Sequence, residues 1–193
     1  MKIVRLFPIT ILFLLIGLGL WITTPKEVKL SGMTMGTNYS IRYYASRFVS
    51  EKAIESEIAT LFGGINQSLS TYELGTNISE FNQFESQDVF EATPFFYDVL
   101  SIAQIVYQKT GGAWDGTVWP LYQLWGFDQT EMPDDVPEWR AIRNARRHVS
   151  FGKITLIEPG RISKTDPLVM IDLSSIAKGY TVDKVAEVLV ANE

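Results

Sequence analysis

Two stretches of this chain concentrate side chains capable of chemistry. The first is Ile171-Asp172-Leu173-Ser174-Ser175-Ile176-Ala177-Lys178-Gly179-Tyr180-Thr181-Val182-Asp183, where an acid and two serines stand between an apolar run and a helical pattern. A helix start at that place offers unpaired N–H groups and the positive end of the helix dipole to a phosphate. Lys178 can add a point charge within the first turns, and Gly179 permits close backbone approach. The same residues also fit an Asp/Ser helix cap beside a solvated lysine.

The second stretch is Thr110-Gly111-Gly112-Ala113-Trp114-Asp115-Gly116-Thr117-Val118-Trp119-Pro120-Leu121, continuing to Leu124-Trp125-Gly126-Phe127. Small residues let the main chain approach a planar ligand. Asp115 can accept hydrogen bonds from sugar or ring N–H groups, and Trp114 can supply an apolar wall. A glycine helix stop followed by aromatic core accounts for the same composition. Met35-Gly36-Thr37 and Ser70-Thr71-Tyr72 carry little meaning alone. The single His148, beside Arg146 and Arg147, can build neither a zinc cluster nor an obvious triad, and its expected place is on the solvent side. The chain has no G-x-G-x-x-G and no P-loop, which leaves a Rossmann dehydrogenase or a P-loop kinase without support.

The elements that must position these residues follow from periodicity and punctuation. Val28 to Tyr44 alternates and is broken at Gly32 and Gly36, which predicts an edge hairpin. After Ser50 as N-cap, Ala53, Ile54, Ile58, Leu61, Phe62 and Ile65 fall at helical spacing, with Gly63-Gly64 weakening the pattern. Ser70 to Asn82 is polar and predicts a structured loop that carries Tyr72 outward. Thr93, Pro94 and the apolar face of Phe95, Val99, Ile102 and Val106 predict a helix to about Lys109, ended by Thr110-Gly111-Gly112. Asp128 to Arg147 predicts a surface excursion ending in a short helix from Trp139 to Arg146. Val149 to Phe151, Ile154 to Ile157 and Leu168 to Leu173 predict strands, the last feeding a final helix. That helix stops at Ala191-Asn192-Glu193 without a cap, and the expectation is a domain that continues further.

At 193 residues, 46% hydrophobic and 12% aromatic, the chain can bury one domain core of ordinary size. Leu6 to Ile22 is almost uninterrupted apolar sequence behind Lys2 and Arg5, and it lacks the small residues of a cleavage site. Residues 1–25 are therefore expected to act as a signal or uncleaved membrane anchor, with residues 26–193 facing outward as the folded part. The absence of cysteine removes disulfides, thiol nucleophiles and an acylated anchor. With Lys2 and Arg5 set aside, the remainder carries a formal charge of about −7 and no basic run, which argues against a nucleic-acid partner.

Taken together and in order, four segments resemble the ApbE-type flavin transferase family. They are Met35-Gly36-Thr37; Leu69-Ser70-Thr71-Tyr72 with Ser79-Glu80-Phe81-Asn82; Gly112 to Val118 with Leu124-Trp125-Gly126-Phe127; and Asp172 through Asp183. The resemblance covers essentially everything after the apolar leader. It implies an α+β fold, a mixed sheet flanked by helices. It also implies an enzyme that splits FAD with a divalent metal and passes FMN to a threonine hydroxyl of an acceptor protein, releasing AMP.

Carried over residue by residue, Met35, Tyr72, Ala113, Trp114, Asp115, Asp172 and Lys178 are expected to line the FAD site, and Ser175 to offer its backbone carbonyl to Mg²⁺. Trp114 departs from the phenylalanine common at its place and keeps an aromatic wall. No carboxylate is singled out as general base. The implied acceptor is a flavoprotein subunit of a membrane electron-transfer complex, and the implied location is the bacterial inner membrane, facing the periplasm or cell exterior. The family's further strands, with most of the metal's side-chain ligands, lie beyond these residues. Since Mg²⁺ takes several oxygen ligands, a membrane-anchored FAD-binding fragment without catalysis is an alternative, as are an FAD pyrophosphatase and a tethered interaction domain.

Overall fold

The computed structural model describes residues 7–127 and 135–192, which fall into two units, one of residues up to 60 together with those from 184 onward, the other of residues 61–183. The predicted excursion from Asp128 lies outside the described residues as far as 134, as do Lys2, Arg5 and Leu6 of the leader.

In the first unit, α1 (Phe7–Thr23) is the predicted apolar helix, with Ile11 to Ile16 all exposed. Its 17 residues extend about 26 Å at the α-helical rise, against about 30 Å for a bilayer core. No helix among the described residues is long and apolar enough to cross a membrane.

β1 (Lys26–Thr34) and β2 (Thr37–Ala45) form the predicted antiparallel hairpin, in register from Lys26 opposite Ala45 to Thr34 opposite Thr37. Met35 and Gly36 turn the chain in two residues with φ of 50° and 69°. That pair of left-handed conformations matches the twist of the strands it joins. Gly32, expected as a break, is instead part of β1, because the Tyr39 ring lies where its side chain would be: a Cβ there would sit 2.8 Å from the Tyr39 hydroxyl. Ser50 caps α2 (Glu51–Leu69) as predicted, its Oγ accepting from the Ala53 amide at 3.3 Å.

The second unit holds the rest of α2 with α3 (Asn77–Gln83), β3 (Phe90–Glu91), α4 (Pro94–Lys109), α5 (Trp119–Leu124), α6 (Trp139–Arg146), β4 (Ile154–Ile157), β5 (Arg161–Lys164) and the first half of α7 (Ser174–Ala191). β5 is central, with β3 and β4 antiparallel on either side. The fold is α+β. The expected mixed sheet is corrected, since no parallel pair occurs among the described strands and β4 turns directly into β5 through Glu158–Gly160 instead of a helical crossover. The core of this unit gathers Ile65, Ile78, Phe81, Phe96, Leu100, Ile162, Val169, Ile171 and Leu173, all fully buried. Phe81 meets Phe90 and Phe96 edge to face at 5.4 and 5.7 Å. α2 runs unbroken through Gly63-Gly64, and at position 64 the Phe95 ring comes so close that a Cβ would lie 2.9 Å from it.

Three local expectations differ from the structure. The loop expected over Ser70 to Asn82 contains α3, capped by Thr76, whose Oγ1 accepts from the Ser79 amide at 3.3 Å. Its buried face includes Asn77, Ser79 and Asn82, and these polar residues hide the apolar periodicity. Val149 to Phe151 is no strand; Phe151–Lys153 makes a single 3₁₀ turn. Leu168 to Leu173 is buried at Val169, Ile171 and Leu173 as expected, but joins no sheet. Its main chain bonds to the side chains of Asn82, Lys164 and Asp166 and to the carbonyls of Asp166 and Gly116.

Candidate functional site

Gly116 and Asp172 join the two chemistry-bearing stretches. The Asp172 amide donates to the Gly116 carbonyl at 2.8 Å. The approach requires glycine: a Cβ at 116 would stand 2.9 Å from the Trp114 ring and 3.2 Å from Leu173 Cδ2. Alongside, Trp114 Nε1 donates to Ser175 Oγ at 3.2 Å. Loop 112–117 and the start of α7 are thereby one surface, with the Trp114 ring half-buried and Ser175 exposed.

Both carboxylates of this surface are ordered by the protein itself. Asp172 Oδ1 accepts the Ser174 amide and Oδ2 the Ser174 hydroxyl, each at 2.9 Å, which caps α7 and puts negative charge at its positive end. Asp115 Oδ1 accepts the Thr117 hydroxyl at 2.6 Å and its amide at 2.9 Å, while Oδ2 accepts the Phe151 amide at 3.1 Å. Asp115 thus ties its own loop to the 3₁₀ turn. That bond draws Phe151 out of the expected strand.

Of the other expected residues, Ala113 and Lys178 are exposed on the same two stretches. Tyr72 is exposed at 68% and its hydroxyl lies 3.2 Å from that of Tyr122, whose ring stacks on Trp119. Met35 belongs to the hairpin unit, at the turn. Ser175 is the second residue of α7. Among the described residues no group of three His, Cys, Asp or Glu is placed to hold a metal ion.

Several residues that order this region were not found from the sequence. His148, expected on the solvent side, is half-buried with Nδ1 2.9 Å from Asp166 Oδ2, and Lys153 Nζ meets the same oxygen at 2.8 Å. Asp166 Oδ1 accepts the Leu168 amide at 3.1 Å. Burial pushes the Asp166 carboxyl up, but the bonds from Lys153, His148 and Leu168 outweigh it and hold the group at about 2. Lys164 is buried, its Nζ donating to the carbonyls of Phe81 at 3.1 Å and Val169 at 3.0 Å and lying 4.7 Å from the centre of the Phe81 ring. Burial lowers its ammonium to about 8, against the opposing pull of Asp166 and Glu85. A lone lysine in an alternating strand gives no signal of this kind.

Residues 35–193 match the model of the ApbE family. The chain belongs to that family. It is 39% identical to the FAD:protein FMN transferase of Vibrio cholerae serotype O1 over 165 residues, 85% of this chain and 49% of that one. The FAD:protein FMN transferase of Haemophilus influenzae is also 39% identical, over 171 residues and the same shares. Among solved ApbE structures, the flavin transferase from Vibrio cholerae superposes with a TM-score of 0.81 at 37% identity, covering 87% of this chain and 54% of that one. The apo flavinyl transferase of Pseudomonas stutzeri gives 0.81 at 26% identity, with 89% and 55% covered. The chain spans about half the length of the curated ApbE relatives it matches.

Proposed function

We propose that this chain provides the FAD-binding part of an FAD:protein FMN transferase. The observation that carries the reading is the joining of loop 112–117 to the start of α7 through Gly116–Asp172 and Trp114–Ser175, in a chain of the ApbE family. An aromatic wall, glycine-permitted main chain and a capped helix N-terminus meet on one surface. These are the parts a flavin nucleotide requires.

In this reading Trp114 and Tyr72 flank planar parts of FAD, and Ala113 leaves room for it. The Ser175 amide and the Lys178 ammonium face the pyrophosphate, while Asp115 and Asp172 keep the two backbones rigid. The reaction breaks the bond between the two phosphorus centres' bridging oxygen and the FMN phosphorus. An acceptor threonine Oγ forms the new phosphoester bond and loses its proton, and AMP departs. Ser175 is proposed as one Mg²⁺ donor through its carbonyl, and the metal bound there would neutralise charge on the departing phosphate.

We place the folded part outside the cytoplasm, held at the bacterial inner membrane by the apolar leader, with a flavoprotein subunit of a membrane electron-transfer complex as acceptor. The supporting feature is the run of exposed apolar residues on α1 behind Lys2 and Arg5. Recovery of the chain from washed membranes supports this placement, and recovery in the cytosolic fraction overturns it.

A second reading is FAD binding without transfer. One experiment separates the two: FAD binding and AMP release by the full chain, with Mg²⁺ and with chelator, in the presence of a threonine-bearing acceptor. Mg²⁺-dependent AMP release with covalent flavin on the acceptor supports transfer. Binding without AMP release supports the second reading, and absence of binding sinks both.

A further inference from the structure

The segment that delivers Asp172 to the site joins no sheet among the described residues, and side chains hold much of its main chain. Asn82, at the end of α3 and only 8% exposed, does this with one side chain: Nδ2 donates to the Ile171 carbonyl at 2.9 Å and Oδ1 accepts the Ile171 amide at 2.7 Å. The pair of bonds reproduces what a neighbouring strand residue would supply. Two residues earlier, Lys164 Nζ bridges the Val169 carbonyl to that of Phe81, adjacent to Asn82. The segment is thus fastened to the end of α3 at 169 and 171, and immediately afterwards to Gly116 at 172.

We propose that Asn82 and Lys164 are positioning residues, which fix residues 169–172 against α3 and thereby set where Asp172 and the start of α7 stand relative to Trp114 and Gly116. Neither residue bears on the FMN transfer chemistry itself. Each acts through main chain. Burial supports the assignment: an amide and an ammonium withdrawn from water remain only where hydrogen bonds compensate, and here each bonds to this segment. The inference rests on the FAD-binding reading for its functional consequence, but the fastening can be read separately.

The test compares the full chain with Asn82→Ala, Lys164→Met and a control, Val99→Ala, a truncation in the buried face of α4 that removes no hydrogen bond to the segment. Amide hydrogen exchange over residues 169–175 and FAD affinity are both measured. Loss of the Asn82 pair is expected to speed exchange over 169–175 by about ten-fold or more and to weaken FAD binding by about ten-fold. Lys164→Met should act in the same direction. Val99→Ala should lower the melting temperature without selectively exposing 169–175 or changing FAD affinity.

The proposal fails if the segment exchanges in Asn82→Ala as it does in the unaltered chain, if Val99→Ala exposes it equally, or if FAD affinity is kept while exchange rises. If Asn82→Ala does not fold, Lys164→Met carries the same readouts. If the unaltered chain binds no FAD, the functional reading falls, while exchange over 169–175 still decides whether these two residues hold the segment.

Discussion

The Gly116 carbonyl and the Asp172 amide meet at 2.8 Å, and the space beside Gly116 is filled by the Trp114 ring and Leu173. Gly116→Ala must therefore displace the indole, the leucine or the hydrogen bond. Overpacking of this kind costs about 1–3 kcal/mol. Thermal unfolding is expected to show that loss, and a flavin-fluorescence titration a weaker FAD complex. An unchanged titration would mean that the junction does not shape the ligand site.

Asp166 has its carboxyl held at about 2 when folded, against an ordinary 3.8. A depressed acid adds stability that is complete above the ordinary value and disappears as pH falls through the folded one. The unfolding free energy of the unaltered chain relative to Asp166→Asn should therefore decrease between pH 3.8 and about 2. Denaturant titrations across that window measure it. A pH-independent difference would show that Lys153 and His148 do not hold the carboxylate.

Lys164 has the opposite sign. Its ammonium is lowered from 10.5 to about 8, so over that interval the unfolded chain binds the extra proton and stability rises with pH. Compared with Lys164→Met, the unaltered chain should gain stability on going from pH 8 toward 10.5. A flat difference would place the ammonium in contact with water.

Met35 is the only non-glycine with positive φ among the described residues. A left-handed conformation costs an ordinary residue about 1 kcal/mol, and asparagine tolerates it better. Met35→Asn should therefore raise the melting temperature, read by thermal unfolding. An unchanged or lower melting temperature would mean that the turn carries no such cost.

What the sequence made legible followed local rules. Pro94 and the Thr110-Gly111-Gly112 stop delimit α4 because both act on the backbone at one position, and Gly36 between alternating runs marks the hairpin turn. α3 escaped because its buried face is partly Asn and Ser, the asparagines bonded at long range and Ser79 to Thr76. The strand expected over Leu168 to Leu173 failed for a related reason: an apolar run reports burial but not what pairs with the main chain, and here side chains from 82 and 164 replaced a strand. The union of Trp114 with Ser175, 61 positions apart, is beyond periodicity altogether. Only the order of four motifs hinted at it.

The two adjacent glycines of α2 have opposite value to anyone engineering the chain. Gly63 faces open space, so alanine there should add about 0.8–1.0 kcal/mol of helix propensity. Gly64 gives the Phe95 ring its seat, and the same exchange one residue later would force α4 to retreat or the ring to rotate. A redesign guided by propensity alone would improve the helix and spoil the protein.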